Sequence, residues 1–196
     1  MARLKDFDEE RALDSAVDCF WKHGYEATTV RDLADAMKIG GTSLYNAYGD
    51  KRALFERSLE RYANRSMRDR IARMEVEHRP KEAIRAFLAE IVERSLRDPD
   101  RKGCLLINSA LDVAPHDAEI GKVVGGYLDE IRAFFRRNID AARKAGQVPR
   151  GIDAEEISGH LLGVLLGIRV LARTGALRKL LEAAARPALD LLEGRR

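Results

Sequence analysis

Two cysteines, four histidines and a scatter of serines are the side chains of this 196-residue chain with intrinsic reactivity, so they come first. Cys19 and Cys104 stand on segments of different pattern, with no CxxC or Cys/His ligand spacing, so neither a zinc site nor a disulfide framework is implied. His116 and His160 are isolated, and no HExxH motif occurs. Ser43 and Ser109 lack a nucleophile-elbow setting, phosphate-cradling glycine loops are absent, and the acids lie along solvated helix faces. The expectation is no catalytic residue, no metal and no cofactor. Cys104 alone has a setting of chemical interest. It follows Arg101, Lys102 and Gly103 at a helix start, where cations and the helix dipole favour a thiolate.

A second constellation offers binding instead of catalysis. Thr29-Val30-Arg31-Asp32 reads as a capping box. It opens a short helix with Val30, Leu33, Ala34 and Met37 inward, and Lys38-Ile39-Gly40-Gly41 follows, where two glycines permit a tight turn. Thr42 to Tyr48 is then another short helix, closed by Gly49. Two short helices about a glycine-containing turn make a helix-turn-helix, whose second helix enters the major groove by its N-terminal end. Gly41, Thr42 and Ser43 are small enough to approach base edges there. Asn46 can pair with adenine, Tyr45 can offer its hydroxyl to phosphate, and Lys51 can reach the backbone from just beyond the helix. Tyr48 reads as core. Bulk charge gives no help, since residues 1–53 hold eight Lys/Arg against ten acids and the whole chain carries only +3.

The elements that must position these groups are all helical. Leu, Ala, Arg and Glu dominate, aromatics make up 6%, and charged residues 34%, a composition that loses little side-chain freedom in helices. Leu13, Ala16, Val17, Phe20 and Trp21 give a first helix behind an acidic start at residues 6–10, with Gly24 as its C-cap. A long fourth helix runs from Asp50 to about His78, and Pro80 starts the next, with Ile84, Phe87, Leu88, Ile91, Val92 and Leu96 inward. Cys104 begins a short buried helix stopped by Pro115. A longer one ends at Gly146, and the last two cover residues 153–174 and 176–192, with Pro187 set to kink or break the second. That final pair carries more apolar surface than one face needs, with Leu165 and Ile168 among it and Gly159, Gly163 and Gly167 recurring every four residues. The surplus predicts a homodimer through these two helices. The division expected is a helix-turn-helix domain over 1–52 and a helical domain over 53–196. The N-terminus has no apolar run behind it, and charged residues and glycines interrupt the longest apolar stretch, so no membrane span is expected and the cytoplasm is the expected compartment.

The stretch from Phe20 through His23-Gly24-Tyr25 to Thr29-Val30-Arg31-Asp32-Leu33-Ala34, followed by Ser43-Leu44-Tyr45-Asn46-Ala47-Tyr48-Gly49-Asp50-Lys51, resembles the signature of the TetR/AcrR family of transcriptional regulators. The resemblance implies an all-α fold: a three-helix DNA-binding domain followed by a larger helical domain for ligand binding and dimerisation. It implies a dimer on a near-palindromic double-stranded DNA operator, released by a small-molecule effector. On that pattern Thr29, Tyr45 and Lys51 fall where members contact phosphate, and Gly41, Thr42, Ser43 and Asn46 where they approach bases. Gly103-Cys104-Leu105-Leu106-Ile107-Asn108, with Ala114-Pro115-His116-Asp117, is similar to a subgroup that includes cysteine-based sensors of electrophiles. Cys104, Asn108 and the facing Phe87 are the effector-sensing candidates. Repressor and activator share all of these residues.

Overall fold

The computed structural model describes residues 8–194, and every regular element among them is helical. The acidic residue Asp6 and the rest of the first seven residues lie outside that range. The helices are α1 (Glu9–His23), α2 (Val30–Met37), α3 (Gly41–Tyr48), α4 (Lys51–Tyr62), α5 (Asp69–Glu77), α6 (Pro80–Leu96), α7 (Leu105–Asp112), α8 (Ala118–Lys144), α9 (Ala154–Arg173) and α10 (Arg178–Leu191). A π-helical turn at Ala63–Arg68 joins α4 to α5, so the long helix expected from Asp50 to His78 is continuous but changes its hydrogen-bond register midway.

The chain forms two compact units. The first comprises the residues through Arg65 together with Cys104–Val124, and the second Ser66–Gly103 with the residues from Gly125 on. The chain passes between them within the π turn, after Gly103 (φ +73°) and just before the Gly125-Gly126 pair of α8.

In the first unit α1 lies against α2 and α4, and α7 also packs on α4. Phe20 and Phe55 are fully buried and meet edge to face at 4.9 Å, with Tyr25 at 4.7 Å from Phe55. Trp21 meets Tyr62 edge-on at 5.0 Å. Such pairs add about 0.5–1.5 kcal/mol each beyond area burial. Arg61 fixes the outer ends of these helices by donating to both carboxylate oxygens of Asp14, at 2.8 and 3.2 Å, and to Glu10 at 3.1 Å.

In the second unit α6 packs on α5, α9 and α10, and α9 packs on α10. Phe87, Phe134 and Phe135 form its aromatic centre, with ring centroids 5.0–5.5 Å apart. Two arginines are buried there. Arg70 donates to Glu90 at 2.8 Å, and Arg169 donates to Ser95 Oγ at 2.8 Å and to the Gly103 carbonyl.

Three sequence expectations need correction. The break offered at Pro187 does not occur: α10 runs through it to Leu191. Proline there removes one bond near the helix end, and Ala183, whose carbonyl loses it, is exposed to water. Leu165 and Ile168 are not surplus surface: they are 2% and 0% exposed inside their own unit. The apolar groups of this pair left outside are Val170, Leu177 and Leu180, and the open face of α9 carries Gly159, Gly163 and Gly167. Finally, the turn between α2 and α3 takes its left-handed residue at Lys38 (φ 55°, ψ 41°) and not at either glycine. Gly40 is the extended N-cap of α3 and Gly41 its first residue.

Candidate DNA-binding site

Local chemistry in the first unit explains how the candidate residues are held. Thr29 Oγ1 accepts the Asp32 N–H at 3.1 Å, while Asp32 Oδ2 accepts the Thr29 N–H at 2.9 Å and its hydroxyl at 2.6 Å. This reciprocal box closes the start of α2. The Thr29 hydroxyl bond, followed by the backbone one, keeps the Asp32 carboxyl below the usual carboxylate range. Leu44 and Tyr48 are the buried residues of α3, which leaves Gly41, Thr42, Ser43, Tyr45 and Asn46 exposed, Tyr45 by 53%. Tyr48 is core, as its pattern predicts, and its hydroxyl donates to the Glu9 carbonyl at 3.3 Å.

Beyond α3, Gly49 turns the chain at φ +81° and Asp50 caps α4 by accepting the Ala53 N–H at 2.7 Å. This brings Lys51 to the first residue of α4. Its ammonium sits 4.3 Å from the Tyr25 ring centroid and donates to the Glu26 carbonyl at 3.4 Å, so the long side chain is already held beside the loop between α1 and α2. All seven residues proposed from the sequence therefore occupy one compact unit, six on exposed surface and Lys51 half-buried.

Two supporting arginines were missed by reading the sequence. Arg57 donates to the Ala47 carbonyl at 3.2 Å and lies 4.7 Å from the Tyr48 ring, placing a cation at the C-terminal end of α3 where the helix dipole favours it. Arg52 makes a two-pronged bond to Asp117, at 2.8 and 3.1 Å, and a further one to Glu56. Asp117 also accepts the N–H groups of Glu119 and Ile120 at the start of α8, and with Arg52 acting most strongly its carboxyl is held far below the ordinary range. Residues 65 positions apart give no local signal of such a pair. Arg57, ten residues from its acceptor, gives one only to a reader who already knows where α3 ends.

The sequence model described as "Bacterial regulatory proteins, tetR family" matches residues 12–57, and that described as "Tetracyclin repressor-like, C-terminal domain" matches residues 80–188. The chain belongs to the TetR family. A relative in Bacillus subtilis (strain 168), the HTH-type transcriptional regulator YezE, is 32% identical over 178 residues, covering 90% of this chain and 91% of that protein. The HTH-type transcriptional repressor ComR of Escherichia coli (strain K12) is 29% identical over 93% of this chain and 88% of its own length. Among solved structures, a cysteine mutant of the TetR family transcriptional regulator CifR, in complex with 26-base-pair operator DNA, superposes with a TM-score of 0.86 at 30% identity. That match covers 96% of this chain and 98% of the other. This TetR-family chain is thus similar along nearly its whole length to transcriptional regulators.

The effector-sensing candidates are distributed over both units. Phe87 belongs to the second, 1% exposed in the aromatic centre, with the Arg70 guanidinium 5.7 Å from its ring. Cys104 and Asn108 belong to the first. Cys104 is the half-buried N-cap of α7, its carbonyl accepting the Asn108 N–H at 2.9 Å. Burial, with the nearby Asp32 charge, pushes the Cys19 thiol up, against a weaker opposing hydrogen bond from Thr28. Among the described residues no His/Cys/Asp/Glu group is arranged to hold a metal, and no helix is long and apolar enough to cross a membrane.

Proposed function

We propose that this chain is a transcriptional repressor that binds a near-palindromic operator as a homodimer and is released by a small-molecule effector in the cytoplasm. The observation that carries the reading is the outward row Gly41, Thr42, Ser43, Tyr45 and Asn46 on α3, flanked by Thr29 and Lys51 within one rigidly packed unit. Gly41, Thr42, Ser43 and Asn46 read base edges, and Thr29, Tyr45 and Lys51 hold phosphates. Residues 1–52 supply the DNA-binding domain and 53–196 the effector and dimer domain. The operator complex of CifR and the name repressor borne by ComR support this assignment. In the dimer the two copies of α3 sit about 34 Å apart, one turn of DNA, entering successive major grooves.

Dimerisation uses the outer faces of α9 and α10. Val170, Leu177 and Leu180 are exposed there, and around Gly159, Gly163 and Gly167 there is open space where a second helix can approach closely. Of the sensing candidates, the effector acts on Cys104 and Asn108, which share the first unit. Cys104 caps α7 and Asn108 lies on it; α7 packs on α4 in the same unit as α3, and the Arg52–Asp117 bridge ties the first turn of α4 to the start of α8 beyond α7. A displacement of α7 is thereby felt at Lys51, the neighbour of Arg52.

The experiment is a mobility-shift titration of the chain on DNA from upstream of its own gene, with Tyr45→Phe and Lys51→Ala. Both variants weaken binding to all sequences alike, and Lys51→Ala also flattens the salt dependence by about one unit of slope for each subunit. Unchanged affinity in both removes these residues from the interface, and no shift by the wild type on any DNA removes the function.

A further inference from the structure

The helix proposed to enter DNA, Gly-Thr-Ser-Leu-Tyr-Asn-Ala-Tyr, contains no lysine or arginine. Protein–DNA affinity rests largely on cations that neutralise phosphates and release their counterions, so the positive charge has to come from the surroundings of α3. Most of the cations there are engaged. Arg52 is held by Asp117 and Glu56, Arg61 by Asp14 and Glu10, and Arg57 by the end of α3 itself. Lys51 rests on Tyr25 and the Glu26 carbonyl.

Lys38 is different in two respects. Its side chain is exposed, and among the described residues its ammonium has neither an ion-pair nor a hydrogen-bond partner. It also occupies the left-handed conformation that the turn into α3 requires, its N–H donating to the Ala34 and Asp35 carbonyls before Ile39 and Gly40 lead into the helix. A residue with a Cβ is disfavoured in that conformation and glycine is not. The sequence nevertheless puts glycine at 40 and 41, where φ does not demand it, and lysine at 38, where it does. Gly40 and Gly41 leave open space where their side chains would stand: apart from chain neighbours and the helix's own backbone, no described residue comes within 4 Å of either position at the N-terminal end of α3. A strained residue that persists next to a working surface points to a role for its side chain.

We propose that Lys38 is a DNA-backbone contact, its ammonium neutralising a phosphate beside the groove that α3 enters. The proposal rests on the reading of the chain as an operator-binding dimer. Lys38→Gly separates charge from fold, because glycine keeps the turn and relieves its strain while removing the ammonium.

The test measures binding of wild type, Lys38→Gly and Lys38→Arg to a short duplex selected from a random pool by the wild-type chain, and to an unrelated duplex of equal length, over a salt series. Each lost phosphate contact costs about 0.9 in slope and roughly fivefold in affinity at about 0.15 M salt. Two copies in a dimer therefore make Lys38→Gly about thirtyfold weaker, on both duplexes, with the slope reduced by about 1.8. Its Tm rises by a few degrees, and Lys38→Arg keeps the wild-type slope. Binding by Lys38→Gly within twofold of wild type overturns the proposal, as does a loss confined to the selected duplex or a loss accompanied by a lower Tm. A wild-type chain that selects no duplex overturns the operator reading itself, and this proposal with it.

Discussion

Replacing Glu90 by glutamine removes one negative charge from the middle of the second unit and leaves the size of the side chain unchanged. Glu90 Oε1 accepts from Arg70 Nε at 2.8 Å and Oε2 from Arg73 Nη2 at 2.5 Å. The Arg70 side chain is only 7% exposed, so its guanidinium has little water to turn to when the carboxylate is neutralised, whereas Arg73 can swing outward. Breaking a fully buried pair in this way costs about 3–5 kcal/mol. Glu90 retains 24% exposure and glutamine can still accept one bond, which brings the expected loss to about 2–3 kcal/mol. At about 2–4 °C per kcal/mol for a chain of this size, Tm falls by roughly 4–12 °C. The pH dependence is a second signature. Burial pushes the Glu90 carboxyl up, but the bonds and charges of Arg70 and Arg73 outweigh it and hold it below its ordinary value. The pair's stabilisation is therefore complete above the ordinary glutamate range, about pH 4, and disappears as pH falls through the lower folded value. Urea unfolding at pH 7 and pH 3 measures both effects. Adding Arg70→Met to Glu90→Gln removes the buried cation together with its neutralised partner and restores stability. A gap between wild type and Glu90→Gln that is the same at both pH values refutes the reasoning, as does a double variant no more stable than the single one.

The same logic gives a smaller acid effect in the first unit: bonds from Arg61, then Arg65, against opposing burial, hold the Asp14 carboxyl below its usual range. Asp14→Asn is expected to cost about 1 kcal/mol or less at pH 7, a cost that shrinks as pH falls through the lowered folded value, read by the same titration. Val170→Glu, at an exposed position of α9, is expected to give a folded monomer in sedimentation velocity, and a persistent dimer moves the interface elsewhere. Leu165→Glu instead unfolds the chain, because that side chain is interior. Maleimide labelling followed by mass spectrometry is expected to modify Cys104 before Cys19, whose thiol is disfavoured as a thiolate by burial and by Asp32. Electrophile-driven DNA release that is equal in Cys104→Ser assigns the effector to a noncovalent site.

What the sequence discloses here is what short-range physics decides. The capping box at Thr29, the cap at Gly24 and the Pro80 start of α6 each depend on residues within one helical turn, and each is found where the pattern puts it. The inward placement of Leu44 and Tyr48 follows from the same 3.6-residue period, and with it the outward placement of Tyr45 and Asn46. Leu165 and Ile168 mark where this period stops being informative. An apolar residue on a richly apolar helix has the same signature whether it faces its own unit or a second copy, and only the packing of α6 and α10 against α9 decides between them.

Charge is less legible still. A count of eight cations against ten acids over the first 53 residues describes no surface, because the effective charge depends on which acid neutralises which cation. Asp117 reaches back to Arg52 from sixty-five residues away, and Arg57 is spent on the end of α3. Once those pairings are drawn, Lys38 remains as an unengaged cation in the turn that launches α3, although the glycines beside it had seemed to define that turn. Glycine marks where a positive φ is inexpensive, not where the chain must adopt one. Here the left-handed residue has to fall one step past Met37, because that is where the N–H must bend back to the Ala34 and Asp35 carbonyls to close α2. The position is set by hydrogen bonding at the helix end, and its occupation by lysine adds strain that Lys38→Gly would relieve. The affinity of that variant for DNA therefore decides whether the strain serves binding.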